Sequence, residues 1–340
     1  MRTGARAAGL MIGIAADAAF GDPRRGHPVA GFGAVAAALE RRVYRDSVGA
    51  GAGYAAVLAG GAVLGGAAVA RLVRGRAAAE TALVAVSTWA VLGGTSLIGE
   101  GAALAHALDD AALGDAALDD AALDDAALDA ARARIPSLCA RDPQLLDADG
   151  MARAGVESLA ENTSDAVVGP LVWGAFAGVP GLLGYRAVNT LDAMVGYRSP
   201  RYDRFGRASA RLDDVVNLLP ARVTALLTVA LAPAVGGSPS AALRAWRRDA
   251  AGHPSPNAGP VEATAAGALG LRLGGTTTYA HGTEERPSLG SGPAPTTADL
   301  HRAARLSRLV AGASGALAVL TAWGLGRSRV MRGVRGCLSR

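Results

Sequence analysis

Five stretches of this chain run almost without charge for long enough to cross a lipid bilayer. That limits the possible folds more than any other feature. Spanning the hydrocarbon core as a helix takes about 20 apolar residues. Ser47 to Ala70, Thr81 to Ile98, Ala166 to Tyr185 and Leu309 to Gly326 carry no charged residue, and Val215 to Gly237 carries one, Arg222. So many such runs in 340 residues predict an all-α, multi-pass transmembrane helical bundle with polar loops. Ala166 to Tyr185 contains Pro170, Pro180 and five glycines. A span so interrupted is expected to be broken or re-entrant, lining a cavity rather than crossing as one helix.

The apolar content is 51% but only 4% of residues are aromatic. Ala, Val, Leu and Gly supply the rest, as suits membrane helices whose backbones approach closely. The sequence has no lysine, so all 34 basic residues are arginine. This excludes a Walker-type phosphate loop and Schiff-base lysine chemistry. The net charge of +5 comes without a basic stripe interleaved with aromatics, so nucleic acid is not an expected partner. Cys139 and Cys337 have neither disulfide-framework nor zinc-site spacing. Arg2 and Arg6 precede an apolar stretch, but Asp17 interrupts it, so a retained first segment is expected.

Arginine should concentrate on the cytoplasmic side. That places the Arg198–Arg211 segment and the tail with Arg327, Arg329, Arg332, Arg335 and Arg340 in the cytoplasm. Five simple crossings would then put Glu157 opposite the arginine segment, a conflict that a non-crossing Ala166–Tyr185 removes. Asp109 to Asp129 repeats an acidic pentad and reads as a low-complexity solvated insert. Thr283 to Ala298, rich in Pro, Gly, Ser and Thr, reads as a flexible surface loop.

Polar residues gather in a few places. Asp147 or Asp149 can cap a helix from near Met151. On it Glu157, Glu161 and Asp165 follow at i, i+4 spacing, with Asn162 beside them. A row of like charges at a membrane boundary wants a cation: a metal, an amine, or arginine from elsewhere. Asn189 and Asp192 stand three apart in an apolar stretch ending at Tyr197, followed by arginines including Arg207 and Arg211. Guanidinium forks suit phosphate and carboxylate. Asp213, Asp214 and Asn217 offer the hard oxygens Mg²⁺ prefers. Arg222, inside an apolar run, should be paired or functional. His253, Asn257 and Glu262 lie in or beside a proline-rigidified loop, and Asp22 and His27 near the start could hold an ion or make a turn. These residues suit a site for a metal-bound phosphate or another anion.

The segments GDPRRGHPVAGFG, ARDPQLLD, VESLAENTSDAVVGPLVWGAFAGVPGLLGYRAVNTLDAMVGYRSPRYDRFGRASARLDDVVNLLPARVTALL and RDAAGHPSPNAGPVEATAAGALGLRLGG together resemble the CobD/CbiB family of cobalamin biosynthesis. The resemblance implies a single membrane domain over 1–340, in the cell membrane, with 109–129 and 283–298 as variable stretches. It implies a ligase that joins (R)-1-aminopropan-2-ol, or its O-phosphate, to the ring-f carboxylate of adenosylcobyric acid, using ATP and Mg²⁺. On that reading Glu157, Glu161, Asn162, Asp165, Asn189, Asp192 and His253 are candidate catalytic residues. Tyr197, Arg207, Arg211, Asn217, Arg222, Asn257, Glu262, Asp22 and His27 would bind substrate, and Asp213 and Asp214 the metal. Other cobalamin-pathway enzymes are possible partners. The alternatives are a membrane transporter, although no inverted repeat is visible, and a non-catalytic scaffold.

Overall fold

The computed structural model describes residues 4–23, 26–117, 128–197, 199–279 and 282–338. Arg24 and Arg25 of the first motif, most of the acidic pentad repeat, Arg198 and Arg340 lie outside the described residues. The chain divides into two compact units. One comprises Met1–Gly93, Asp165–Pro220 and Ala313–Arg340, the other Gly94–Ser164 and Ala221–Gly312.

Among the described residues, four helices are long and apolar enough to cross a membrane: Val48–Leu72, Ala77–Ala112, Arg207–Val235 and Thr297–Arg327. Only 22% of the Val48–Leu72 window is buried within the protein. A helix this apolar and this exposed is stable only where lipid covers it. Its outward residues include Val57, Leu64 and Leu72, and the last helix likewise exposes Leu320 and Trp323. The fold is therefore the expected all-α membrane architecture.

The first unit contains α1 (Ala5–Phe20), α2 (Pro28–Val43), α3 (Val48–Leu72) and α4 (Ala77–Val91). Helix α1 packs on α4 through Gly9 and Gly13, four residues apart. A Cβ on Gly9 would meet Val84 and the Thr81 carbonyl, and one on Gly13 would meet Thr88 and the Ala85 carbonyl. This is the small-residue route to close packing between membrane helices. Gly13→Leu should cost about 1–3 kcal/mol through overpacking, read as a lowered unfolding temperature in detergent.

The Ala166–Tyr185 region is broken, as expected. A π-helical turn, Ser164–Val168, leads into α7 (Gly169–Ala177), and α8 (Val179–Val195) follows. The first half has only nine residues, and the seventeen-residue second half carries Arg186, Asn189 and Asp192, so neither is the apolar run of about 20 residues that a full span takes. Between them Gly178 has φ +69°, a C-cap conformation glycine adopts without strain. Pro180 then opens α8 where its missing N–H costs nothing. Arg6 donates to the Ala175 and Phe176 carbonyls at 3.0 and 2.9 Å, satisfying the end of α7. The unit's core gathers Tyr54, Leu58, Val188, Leu191, Val195 and Phe205.

The second unit contains α5 (Gly94–Ala117), α6 (Ala148–Thr163), α10 (Pro239–Asp249) and α11 (Ala258–Leu269). Helices α9 (Arg207–Leu231) and α12 (Thr297–Leu338) each contribute to both units. Asp147 caps α6, accepting from the Gly150 N–H at 2.8 Å, which agrees with the predicted start.

One expectation is corrected. The first half of the Thr283–Ala298 stretch is not a loop. It belongs to β2 (Gly282–Gly290), which pairs antiparallel with β1 (Arg272–Tyr279). In a ribbon of two strands every residue is on an edge, so Pro287 is tolerated, and composition alone points to a turn. Leu273 and Leu289, paired across the ribbon, are both fully buried and anchor it.

Candidate functional site

Each unit gathers a group of polar side chains that includes several of the sequence candidates. In the second unit it forms around α6. Glu157 is buried and paired with Arg141, whose guanidinium comes from the ARDPQLLD segment. Its other oxygen accepts the Gly274 N–H at 2.7 Å. That amide is available because the hairpin carries a bulge between Leu273 and Gly275. Gly274 has φ +79°, and a Cβ there would overlap the Pro287 carbonyl, so the bulge requires glycine. Arg153 reaches the Gly274 carbonyl at 3.3 Å and secures the same turn.

Glu161, one helical turn on, is exposed and lies in the field of Arg286, Glu157 and Arg141. The cation wanted by this row is thus arginine from elsewhere: Arg141 and Arg286. The row ends at Glu161. Asp165 lies in the π-helical turn and makes its contact with Asn189, in the other unit.

Glu262 on α11 is 1% exposed. Burial pushes its carboxyl well above the usual range, and the charges of Glu161 and Glu157 push it further, against Arg286 and Arg141. His253 precedes α11 and is buried too, which lowers its pKa. Its Nδ1 lies 3.1 Å from the Ser255 N–H and 3.3 Å from the Ser255 carbonyl; when Nδ1–H donates to that carbonyl, Nε2 is left unprotonated. That Nε2 stands 3.8 Å from Glu262 Oε1, and among the described residues neither atom has a hydrogen-bond partner. A proton-holding carboxyl and a neutral imidazole facing each other make a potential acid–base pair. Arg222 donates to Asn257 at 2.9 Å, so it is paired, as expected of an arginine in an apolar run. Arg222, His253, Trp246 and Arg247 line an open cleft of about 660 Å³.

In the first unit, α8 and α9 supply two relays. The Tyr185 hydroxyl donates to Asn217 at 2.7 Å, and Asn217 donates to Asp213 at 2.9 Å. Arg186 donates to Asn189 at 3.2 Å, and Asn189 to Asp165 at 3.2 Å. Asp192 and Asp214 add their charge at Asp213, and Asp22 and Asp165 add theirs at Arg186. Arg186 also donates to the Val91 carbonyl, where α4 ends, and to the Ala166 carbonyl. It thereby satisfies backbone groups that broken helices leave open. Arg186→Met should destabilise the protein by about 1–3 kcal/mol by orphaning those carbonyls, measured by thermal unfolding in detergent.

Several sequence candidates stand apart from these groups. Asn162 donates to Ser158 and to the Leu138 carbonyl, tying α6 to the short helix Ile135–Leu138. Tyr197 and Arg211 are exposed, and Arg207 pairs with Asp203 at 3.4 Å on the surface. His27 caps α2 by accepting the Val29 N–H, with Asp22 at 3.6 Å, so this pair makes a turn. Arg141, Arg186, Tyr185 and Arg286 were not among the candidates. Arg141 sits inside a quoted motif that could have flagged it. Arg286 had no local signal, lying in a stretch that reads as loop.

A sequence model described as CobD/Cbib protein matches residues 10–307. The chain belongs to this family. Within it, the Cobalamin biosynthesis protein CobD of Mycobacterium tuberculosis (strain H37Rv) is 54% identical over 315 residues, covering 93% of this chain and 95% of the relative. The protein of the same name from Chromobacterium violaceum is 41% identical, covering 87% and 90%. That from Geobacter metallireducens is 39% identical, covering 92% and 95%. No solved structure matches the chain. The CobD/CbiB match spans both polar groups, from Asp22 to Arg286.

Proposed function

We propose that this CobD/CbiB protein works in cobalamin biosynthesis at the cell membrane. It forms the amide joining (R)-1-aminopropan-2-ol, or its O-phosphate, to the ring-f carboxylate of adenosylcobyric acid, giving adenosylcobinamide or its phosphate. The names of its relatives support the pathway. The observation that carries the chemistry is the second-unit group, where exposed Glu161 borders buried Glu262, His253 and two guanidinium groups.

Amide formation needs an activated carboxylate and a neutral amine. Mg-ATP would supply activation by transferring its γ-phosphoryl group to the ring-f carboxylate, so that phosphate leaves when the amine nitrogen attacks. Asp213 and Asp214 fit a Mg²⁺ ion, which takes one or two carboxylates and completes its shell with water and phosphate oxygens. Asp213 also accepts from Asn217 at 2.9 Å, with Asp192 and Asp214 close enough to act on it, which gives the hard-oxygen cluster such an ion takes.

The chain's own side chains do the remaining work. Glu161, exposed at the surface, holds the incoming ammonium group. With Nδ1–H donating to the Ser255 carbonyl, His253 Nε2 is the base that takes the proton the ammonium loses, and the protonated Glu262 carboxyl faces it. Arg222 and Arg247, lining the open cleft, suit a phosphate on the amine. Glu157, fully engaged by Arg141 and Gly274, holds α6 against the hairpin and is not a proton carrier.

The decisive assay uses purified protein in detergent with adenosylcobyric acid, aminopropanol or its phosphate, and Mg-ATP. Amide product by mass spectrometry is expected, and Glu161→Gln should lower its rate by about a hundredfold or more. Corrinoid uptake into vesicles without product would support a transporter, and neither activity a scaffold.

A further inference from the structure

Away from both polar groups, the second unit brings together three side chains that none of the chemistry above uses. His106 and Asp109 stand three residues apart on α5 and so share a face. His301 stands near the start of α12. His301 Nε2 and Asp109 Oδ2 are 2.7 Å apart, and the two imidazole rings lie edge to face with centroids 5.2 Å apart. One ligand atom from each residue falls within 4.8 Å of the other two. Among the described residues, no other three His, Cys, Asp or Glu side chains do so.

We propose that His106, Asp109 and His301 form a binding site for a divalent transition metal of the Zn²⁺ type. Two imidazoles and a carboxylate are ligands such an ion takes, at about 2.0–2.2 Å, with water completing a tetrahedron. Ligand atoms around it would lie about 3.3 Å apart, so rotamer adjustments alone bring these three into place. Mg²⁺ and Ca²⁺, which favour all-oxygen shells, fit less well. Asp109 also opens the acidic stretch that runs to Asp129, whose negative charge raises the local cation concentration. The bound metal clamps α5 to α12 across 192 residues of sequence, so it stabilises the fold rather than taking part in amide formation.

The test uses the full chain in detergent, stripped of metal with a chelator and titrated with Zn²⁺ alone. The expected result is saturable binding of one ion per chain with a higher unfolding temperature. His106→Ala and His301→Ala should each weaken binding by about tenfold or more. Because His106 is exposed, its replacement leaves the fold intact, which circular dichroism checks. Co²⁺ in place of Zn²⁺ should give visible d–d absorption that His301→Ala loses. Absence of saturable binding, or equal affinity in the H106A/H301A double variant, overturns the proposal.

Discussion

Glu157→Ala is expected to cost about 3–5 kcal/mol of stability, because it leaves the buried Arg141 guanidinium without its counter-charge. Both side chains are almost wholly buried, at 4% and 5% exposure. The same substitution frees the Gly274 N–H that Glu157 accepts at 2.7 Å, so the hairpin loosens with it. Unfolding in detergent, followed by circular dichroism, should show a large drop in midpoint. The double variant E157M/R141M removes both charges and should recover much of the loss, since an apolar pair of similar volume often replaces a buried ion pair without penalty. Glu161→Gln, one turn further along α6, should leave the midpoint nearly unchanged while suppressing product. If Glu157→Ala proves as stable as the parent, the division between a structural and a substrate-facing glutamate is wrong.

Glu262→Gln should have the opposite signature, with less activity and more stability at alkaline pH. Burial raises the Glu262 carboxyl well above its ordinary value of 4.5. Between that value and the raised one, the folded protein keeps a proton that the unfolded chain releases. Stability is therefore full below about 4.5 and falls as pH rises through the raised pKa. Glutamine resembles the protonated acid and does not titrate, so the alkaline arm of the unfolding profile should flatten. His253 acts on the other side. Its lowered pKa contributes stability that is present above the ordinary imidazole value of 6.5 and is lost as pH falls through the folded-state value. Amide formation by Glu262→Gln should fall by about 10²–10⁴-fold, the usual contribution of a positioned acid–base group. Midpoints of both proteins measured from pH 5 to 9 test the claim; parallel alkaline arms would remove Glu262 from the proton pathway.

Glu262 also shows where reading the sequence stops. It was visible as one of three residues in or beside a proline-rich loop, with no sign of its burial. That burial comes from α11 being enclosed along its whole length, as its twelve consecutive buried residues show. Alanine and glycine give such a helix too weak a hydrophobic period to reveal its surroundings. Arg286 was hidden more completely. Its strand carries Pro287 and Ser288 and pairs with a strand containing Gly274 and Gly275, so composition points to a turn.

By itself, the sequence determined the membrane-spanning character, because uncharged length is a local property that a bilayer reads directly. It also determined the break near Gly178, where glycine and proline set backbone angles within a few residues. The residues around which both polar groups form were visible too, since a charge within an apolar context marks itself. Only the tertiary structure decided their partnerships. Glu157 and Glu161 meet arginines 16 and 125 residues away by position (141 to 157, 161 to 286), while Asp165 meets Asn189. Pairing at such separations depends on how helices pack and where a strand bulges, and no local periodicity encodes either.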